Sequence, residues 1–517
     1  MKRCQLVKQV RISSRFRQAL LLAVASLAAV PLLQAEEGPA GLDQALIKNE
    51  AEYQLPAALE ALKRWIAIPS ITDATDSYRS DKTRLLKSIV AEAEQLGFNG
   101  QLVADEQVAV IDINDQPPSI GILLHADVVP PGDESQWQYP PFSAIVADGA
   151  VWGRGAADDK GPIAATLYAL AGLKRLGIEL AGGVRVIIGT SEENMLWGDF
   201  EQVATLGLAP TRGWTADAMF PVVHAEKSFV NARVSFHPAP VGEQGLITQF
   251  RGGTAPNSVP DRASLRLGGT SAEVEMAIAK YVAERPEVSF EFANTNGGVE
   301  ITAFGKAGHG SRPASGVNAI THLARLVASL IELKADSSAA ERAILFLGPL
   351  LAGETDGSSL GIARTHPVMG STTVNVGQVE TDGRSTHCYL NIRGPIGLSA
   401  QEIEQALMDK TAPLGGQVTM VAAMDSLWVD PDDEFVTQLV ESYRRWQHDD
   451  RPPVAIGGTT YAKAFPGYVA FGMGLPDHRV PVHAPNERLP LAALERGMAI
   501  YMDAIAATVG VIGNQRR

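Results

Sequence analysis

The sequence predicts an α/β protein in which a discontinuous domain with a mostly parallel sheet is interrupted by an inserted α+β domain. Three observations predict it. Helical and strand patterns alternate from about residue 56 to 228, alternating strands and glycine-rich turns replace them from about 229 to 424, and strong helices return after 425. Helix and strand in alternation indicate a parallel sheet covered by helices. We therefore expect 41–228 and 425–517 to build one domain and 229–424 to be the insertion. A chain of 517 residues is too long for one small core, and 45% hydrophobic with 20% charged residues is the composition of a folded globular protein.

The first 35 residues stand apart. Lys2, Arg3, Lys8, Arg11, Arg15 and Arg17 precede an apolar run over 19–33, and no acid occurs before Glu36. This is the pattern of a secretory signal peptide cleaved after Ala35. The Leu-Gln-Ala ending offers one of the two small residues such a site prefers, so an uncleaved membrane anchor is the alternative. Removing those six cations from 44 Lys+Arg leaves 38 against 58 Asp+Glu, a formal charge of −20 in place of −14. Such acidity argues against nucleic acid and anionic membrane surfaces as partners. Of two cysteines only Cys388 remains after cleavage, so no intrachain disulfide forms. Export then points to a periplasmic or secreted protein. Cys388 lies in an alternating run and is expected on a strand.

In the first segment, 57–68 and 82–96 have helical spacing, 120–124 and 184–189 are apolar strands, and 162–176 is a helix that starts with proline. The insertion carries strands at 234–236 and 372–376 and an amphipathic helix over 317–333. Helices at 434–446 and 489–509 flank a short strand near 468–472.

Acids and histidines cluster at the ends of these elements. His125 and Asp127 follow the strand at 120–124, and Glu192 and Glu193 follow that at 184–189. Ligands gather beyond the carboxyl ends of strands in open α/β sheets, so both pairs point to one crevice. Residues two apart share a face of extended chain, which lets Asp127 accept a hydrogen bond from the His125 ring. Asp158 and Asp159 sit between Gly153-Arg-Gly155 and the helix at 162. An aspartate there suits a bridge between two cations. Each pair alone also fits a structural role: a satisfied strand-end histidine, a helix cap, or a solvated acidic turn.

His125-Ala-Asp127, Gly153-Arg-Gly-Ala-Ala-Asp-Asp-Lys-Gly-Pro162, Gly189-Thr-Ser-Glu-Glu193, Ala216-Asp217-Ala-Met-Phe-Pro221, Ala307-Gly-His309-Gly-Ser and His483-Ala-Pro-Asn-Glu487 resemble the M20 metallopeptidases. The likeness is to their dipeptidase branch, with bacterial aminoacyl dipeptidases and carnosinase-like enzymes, and it runs from about residue 56 to the C terminus. It implies a discontinuous di-zinc catalytic domain with an α+β lid. One zinc would be held by His125, Asp158 and Asp217, the other by Asp158, Glu193 and His483, with cobalt or manganese as alternatives. Three protein ligands per ion leave the open position a catalytic zinc needs. Glu192 would be the general base. His309 would stabilise the oxyanion from the lid, and Asn257, Arg393, Thr460 and Lys463 would contact substrate. Relatives often carry arginine where this chain has Lys463, and lysine lacks the bidentate fork for a carboxylate.

The resemblance implies zinc-dependent hydrolysis of dipeptides, at the amide bond next to a free carboxylate. Removal of an acyl group from an amino acid is the rival activity, and a periplasmic binding protein without turnover is the rival class. A monomer is the expected state, a homodimer the alternative. Gly357-Ser-Ser359-Leu-Gly361 matches a serine-hydrolase elbow, but a polar turn precedes it rather than a strand. No His-Glu-x-x-His occurs, and His224, His237, His322, His366, His387, His448 and His478 have no motif around them.

Overall fold

The apolar run before His125 forms the strand Pro118–His125, whose last six residues are buried. Gly183–Gly189 and Gly213–Thr215 flank it, both parallel to it, and Tyr468–Ala470 runs parallel beyond Gly213–Thr215. Strands covered on both faces are near-continuously apolar, as these are. The computed structural model describes residues 42–512 apart from 74, 239–244, 269–270, 335–336, 352 and 479, so the leader expected at 1–35 lies outside the described residues. Among the described residues no helix is long and apolar enough to cross a membrane.

This sheet has nine strands and is mixed. Asn99–Val103 and Val108–Asp112 extend it antiparallel on one side, Val223–Glu226 and Leu427–Trp428 on the other, and Val454–Ile456 pairs parallel with Val223–Glu226. The expected mostly parallel sheet is therefore parallel where the site residues leave it and antiparallel at its flanks. Only four residues join Asn99–Val103 to Val108–Asp112, too few for a parallel crossover.

Helices cover the sheet. Gln44–Ile66 starts where the Asp43 side chain accepts from the Leu46 amide at 2.8 Å, a cap worth about 1 kcal/mol. It packs on Lys160–Arg175, which is buried from Lys160 to Leu173, and both pack on Leu491–Val509. Glu434–Trp446 joins them through Asp503, which accepts from Arg445 Nε at 2.5 Å and Trp446 Nε1 at 3.1 Å. Trp65, Ile122, Val186, Trp214 and Leu494 belong to the resulting core.

From Val223–Glu226 the chain passes through Lys227 and Ser228 into Phe229–Phe236, the first strand of a second sheet; Gly416–Met424 leads back through Asp425 and Ser426 to Leu427–Trp428. Outgoing and returning strands are paired in both sheets, so the two connections run side by side. The second sheet has eight antiparallel strands, in the order Ser289–Thr295, Gly298–Phe304, Arg262–Leu267, Ile247–Gly252, Thr373–Asp382, Ser385–Arg393, Phe229–Phe236 and Gly416–Met424. It has its own core, including Phe236, Phe250, Leu323, Phe346 and Leu390. This is the α+β lid.

The helix expected over 317–333 is shorter, Ala319–Ala328. Asn318 caps its start, accepting from the Thr321 amide at 3.2 Å, and the Ser329 hydroxyl donates to the Leu326 carbonyl at 2.6 Å at its end. Leu330 and Ile331 still pack on the lid core, so the apolar pattern outlasts the helix. A second helix follows at Ala339–Leu351.

Cys388 lies inside the alternating strand Ser385–Arg393, and burial pushes its thiol well above the ordinary range. A maleimide at pH 8 is expected to leave Cys388 unlabelled in the folded protein and to label it in urea, as read by peptide mass mapping. Rapid labelling of the native protein would contradict its buried position.

Candidate active site

His125 ends the central strand, and its orientation is fixed at three atoms. Its amide donates to Asp159 Oδ2 at 3.1 Å and Nδ1 lies 3.0 Å from the Asp127 carbonyl. That leaves Nε2 for the cleft, 3.0 Å from Asp158 Oδ1 and 3.7 Å from Asp217 Oδ2. Asp127 is the partner of the second ring nitrogen, through its carbonyl at 3.0 Å, with its carboxylate at 3.5 Å. The carboxylate instead accepts from the Glu192 and Glu193 amides at 3.3 and 3.1 Å and from the Thr72 hydroxyl at 2.6 Å. Asp127 thus ties the turn after one strand to the histidine at the end of its neighbour.

Two further carboxylates hold turns in the same way. Asp199 accepts from the amides of Thr190 (2.7 Å), Ser191 (3.1 Å) and Phe200 (2.8 Å) and from the Tyr461 hydroxyl (2.8 Å). A Cβ on Gly189 would lie 2.4 Å from Asp199 Oδ2, so only glycine leaves room for that carboxylate. Glu487 accepts from the amides of Ala157 and Asp158 at 3.0 and 3.2 Å and from Arg154 Nη1 at 2.5 Å, an ion pair buried on both sides. Lys160 turns its ammonium away from the acids to the carbonyls of Trp65 and Ile68.

Asp158 occupies the centre. Its Oδ1 is 3.0 Å from His125 Nε2 and its Oδ2 is 3.0 Å from His483 Nε2, which also lies 3.2 Å from Glu193 Oε2. The His483 backbone takes φ 56°, a region that non-glycine residues seldom occupy, so the neighbouring chain holds it there against local preference. Two donor sets result, His125 with Asp158 and Asp217, and Asp158 with Glu193 and His483; in each, the ligand atoms lie within 4.8 Å of one another.

The electrostatics are those of a buried polyanion. Burial raises Asp217 well above the ordinary carboxylate range, with Asp158 and Glu192 adding to it. Burial likewise raises Glu192 and Asp159 well above that range and raises Glu193. Asp158 moves the other way: against burial, the imidazoles of His125 and His483 hold it far below the range. Against burial too, Asp158 and Glu193 push His483 up to about 12. Glu192 Oε1 is buried without a hydrogen-bond partner. Nitrogen and oxygen donors in excess negative charge fit divalent cations.

The lid supplies the remaining residues. His309 sits in the short strand Gly308–His309, paired with Ser258–Val259, and the Asn257 carbonyl accepts from the Gly310 amide at 2.7 Å. His309 Nδ1 faces Ser311, 2.7 Å from its hydroxyl and accepting from its amide at 3.2 Å, so Nε2 is the nitrogen turned away from Ser311. Burial, Arg393 and Arg312 lower the His309 pKa, and His483 adds to the effect. Arg393 is buried, stacks 4.1 Å from Phe229, and donates to Asn391, Gly457 and Thr459 through Nε and Nη1. Its Nη2 has no hydrogen bond among the described residues.

Thr460 lines the cleft, with its hydroxyl on Glu226 at 2.6 Å. Lys463, expected against a substrate carboxylate, instead gives its ammonium to the Lys227 carbonyl and the Thr459 hydroxyl. Burial, with Arg393, lowers it to about 8 while Glu226 opposes. The arginines that line the cleft are Arg312 and Arg451, neither of which the sequence motifs indicate. Glu487, Asp199 and Tyr461 were also missed as supports. Glu487 lies in the motif His483-Ala-Pro-Asn-Glu487 and Tyr461 in the glycine-rich run Gly457-Gly-Thr-Thr-Tyr461, whereas Asp199 lies in none.

Asp158, Glu192, Glu193, Asp217 and His483 share this cleft of about 610 Å³ with Arg312, Thr459 and Thr460. The serine elbow is not built: Ser359 donates to Glu354 at 2.5 Å. His224 and His322 are satisfied inside the fold, by the Val429 carbonyl and the Tyr281 hydroxyl. His478, in contrast, lines the cleft.

The sequence pattern of peptidase family M20/M25/M40 matches residues 121–507. A protein of Staphylococcus aureus strain USA300, named as a candidate dipeptidase, is 32% identical over 394 residues, covering 75% of this chain and 82% of that protein. Human carnosine dipeptidase 1 is similar in fold, with TM-score 0.56 and 14% identity over 90% of this chain and 100% of that one. The di-peptidase Dug1p of Saccharomyces cerevisiae gives TM-score 0.57 and 14% identity over 90% of this chain and 98% of that one. The match over 121–507 and the identity to the staphylococcal protein place this chain in peptidase family M20/M25/M40, as a hydrolase.

Proposed function

We propose that this protein is a two-zinc dipeptidase that cleaves an amide bond beside a free carboxylate. The observation that carries the reading is Asp158, with an imidazole 3.0 Å from each of its two oxygens. One carboxylate oxygen faces each donor set, so Asp158 would be the ligand that two cations held there share. Zinc suits the mixed imidazole and carboxylate donors, with cobalt or manganese as alternatives. His125, Asp158 and Asp217 would hold one ion and Asp158, Glu193 and His483 the other, and ions held there would supply Lewis-acid polarisation of the scissile carbonyl and a lowered pKa for the attacking water.

Glu192 takes the proton from that water and passes it to the leaving amine nitrogen; its unpartnered Oε1 offers the lone pair. His309 donates Nε2–H to the developing oxyanion. Arg393, Asn257 and Thr460 hold the substrate, and Lys463 acts through the loop it pins. Asp127 positions His125 and the Glu192–Glu193 turn. The segment 229–424 serves as the lid, and a monomer is the proposed state, with a homodimer as the alternative. The leader at 1–35 supports a place outside the cytoplasm.

Equilibrium dialysis with metal analysis is expected to find about two ions per chain; one ion or none at saturating zinc would contradict the Asp158 bridge. Glu192→Gln is expected to retain both ions while lowering kcat on dipeptides by roughly 10²–10⁴. An unchanged rate would remove Glu192 from its role. Activity on N-acyl amino acids with none on dipeptides would favour the deacylase reading.

His309→Ala is expected to lower kcat by roughly 10²–10³. Burial and the nearby cations lower the His309 pKa from its ordinary value, which favours the neutral ring above that value, so the loss is expected to be constant from about pH 7.5 to 8.5. A variant effect that grows or vanishes across that range would contradict a neutral donor.

A further inference from the structure

The cleft is chemically divided. Met219, Met473, Leu475, Val482 and Leu489 form an apolar wall in the catalytic domain, in the same cleft as the donor carboxylates. The wall is anchored to both donor sets: Met219 lies two residues after Asp217 and Val482 immediately precedes His483. Parallel pairing of Met473 with Ala218 and of Gly474 with Met219 joins the segments that carry Met219, Met473 and Leu475. Met219 and Val482 are each 48% exposed, although methionine and valine are core residues by preference. Exposed apolar side chains grouped in a cleft mark a surface that a ligand covers.

The lid side differs. Arg312 lines the cleft and has no ion pair among the described residues, whereas the other lining arginine, Arg451, is bound to Asp449. The Arg312 backbone is held by its amide on the His309 carbonyl at 2.9 Å, in the loop that presents His309. An unpaired guanidinium from the lid attracts the carboxylate end of a substrate. With the scissile carbonyl between the donor sets, the amino-terminal residue is left to the catalytic-domain wall.

We infer that the enzyme selects dipeptides whose amino-terminal residue is bulky and apolar, with Met219 as a specificity-determining contact. This rests on the dipeptidase reading. A leucine or methionine side chain removes both its own surface and the wall's from water, while an aspartate or lysine there strands a charge against carbon.

The test is kcat/KM of the zinc-loaded full chain on Leu-Gly, Met-Gly, Asp-Gly, Lys-Gly and Gly-Leu. Leu-Gly and Met-Gly are expected to exceed the other three by about tenfold or more. Met219→Asp, with two ions still bound, is expected to shrink the preference for Leu-Gly over Lys-Gly, and Met219→Leu to keep it. Equal rates across the panel, or Gly-Leu matching Leu-Gly, would overturn the inference while leaving the dipeptidase reading intact. An unaltered preference in Met219→Asp would remove Met219 from the wall's function. Cleavage of N-acyl amino acids with no dipeptide cleaved would overturn the underlying reading and the inference together.

Discussion

Five carboxylates, Asp158, Asp159, Glu192, Glu193 and Asp217, converge at the carboxyl ends of the parallel strands of a mixed sheet, where burial opposes their charge. Isolated ionised carboxylates are too costly to bury, so the cluster demands cations or protons. Without metal the two histidines carry that demand, and both are driven toward their charged forms by the acids around them, against burial. Asp158 lies between those imidazoles, and the rest of the site is arranged about it.

The supports follow one physical rule. Asp127, Asp199 and Glu487 each spend a carboxylate on backbone amides of the turns that carry the donors. Charge-assisted bonds of this kind are stronger than neutral ones and leave turn amides satisfied without water. They also reach across the sequence: Glu487 lies 329 residues from the Asp158 amide it holds. The lid has its own sheet and core and meets the catalytic domain through two paired connections beside Glu226 and Lys227. That separation lets His309 and Arg312 be delivered to a centre built without them.

Much of this was legible in the sequence, for stated reasons. Parallel strands buried on both faces read as apolar runs, so the strand ends before His125 and Glu192 were placed correctly, and the helices Glu434–Trp446 and Leu491–Val509 followed from their periodicity. Side-chain destinations were less legible. The Asp127 carboxylate went to the neighbouring turn because the Glu192 and Glu193 amides needed an acceptor there. Lys463 turned to the Lys227 carbonyl because the buried Glu226 lies on that side. Arg312 carries no motif, and its place in the cleft depends on a lid whose pairing no local pattern reveals.

The most direct test of the central claim is a crystal structure of the zinc-loaded protein with anomalous data at the zinc edge. Two anomalous peaks about 3.5–4 Å apart, one beside each oxygen of Asp158, are the predicted result. A single peak, or two peaks of which Asp158 contacts only one, would contradict it.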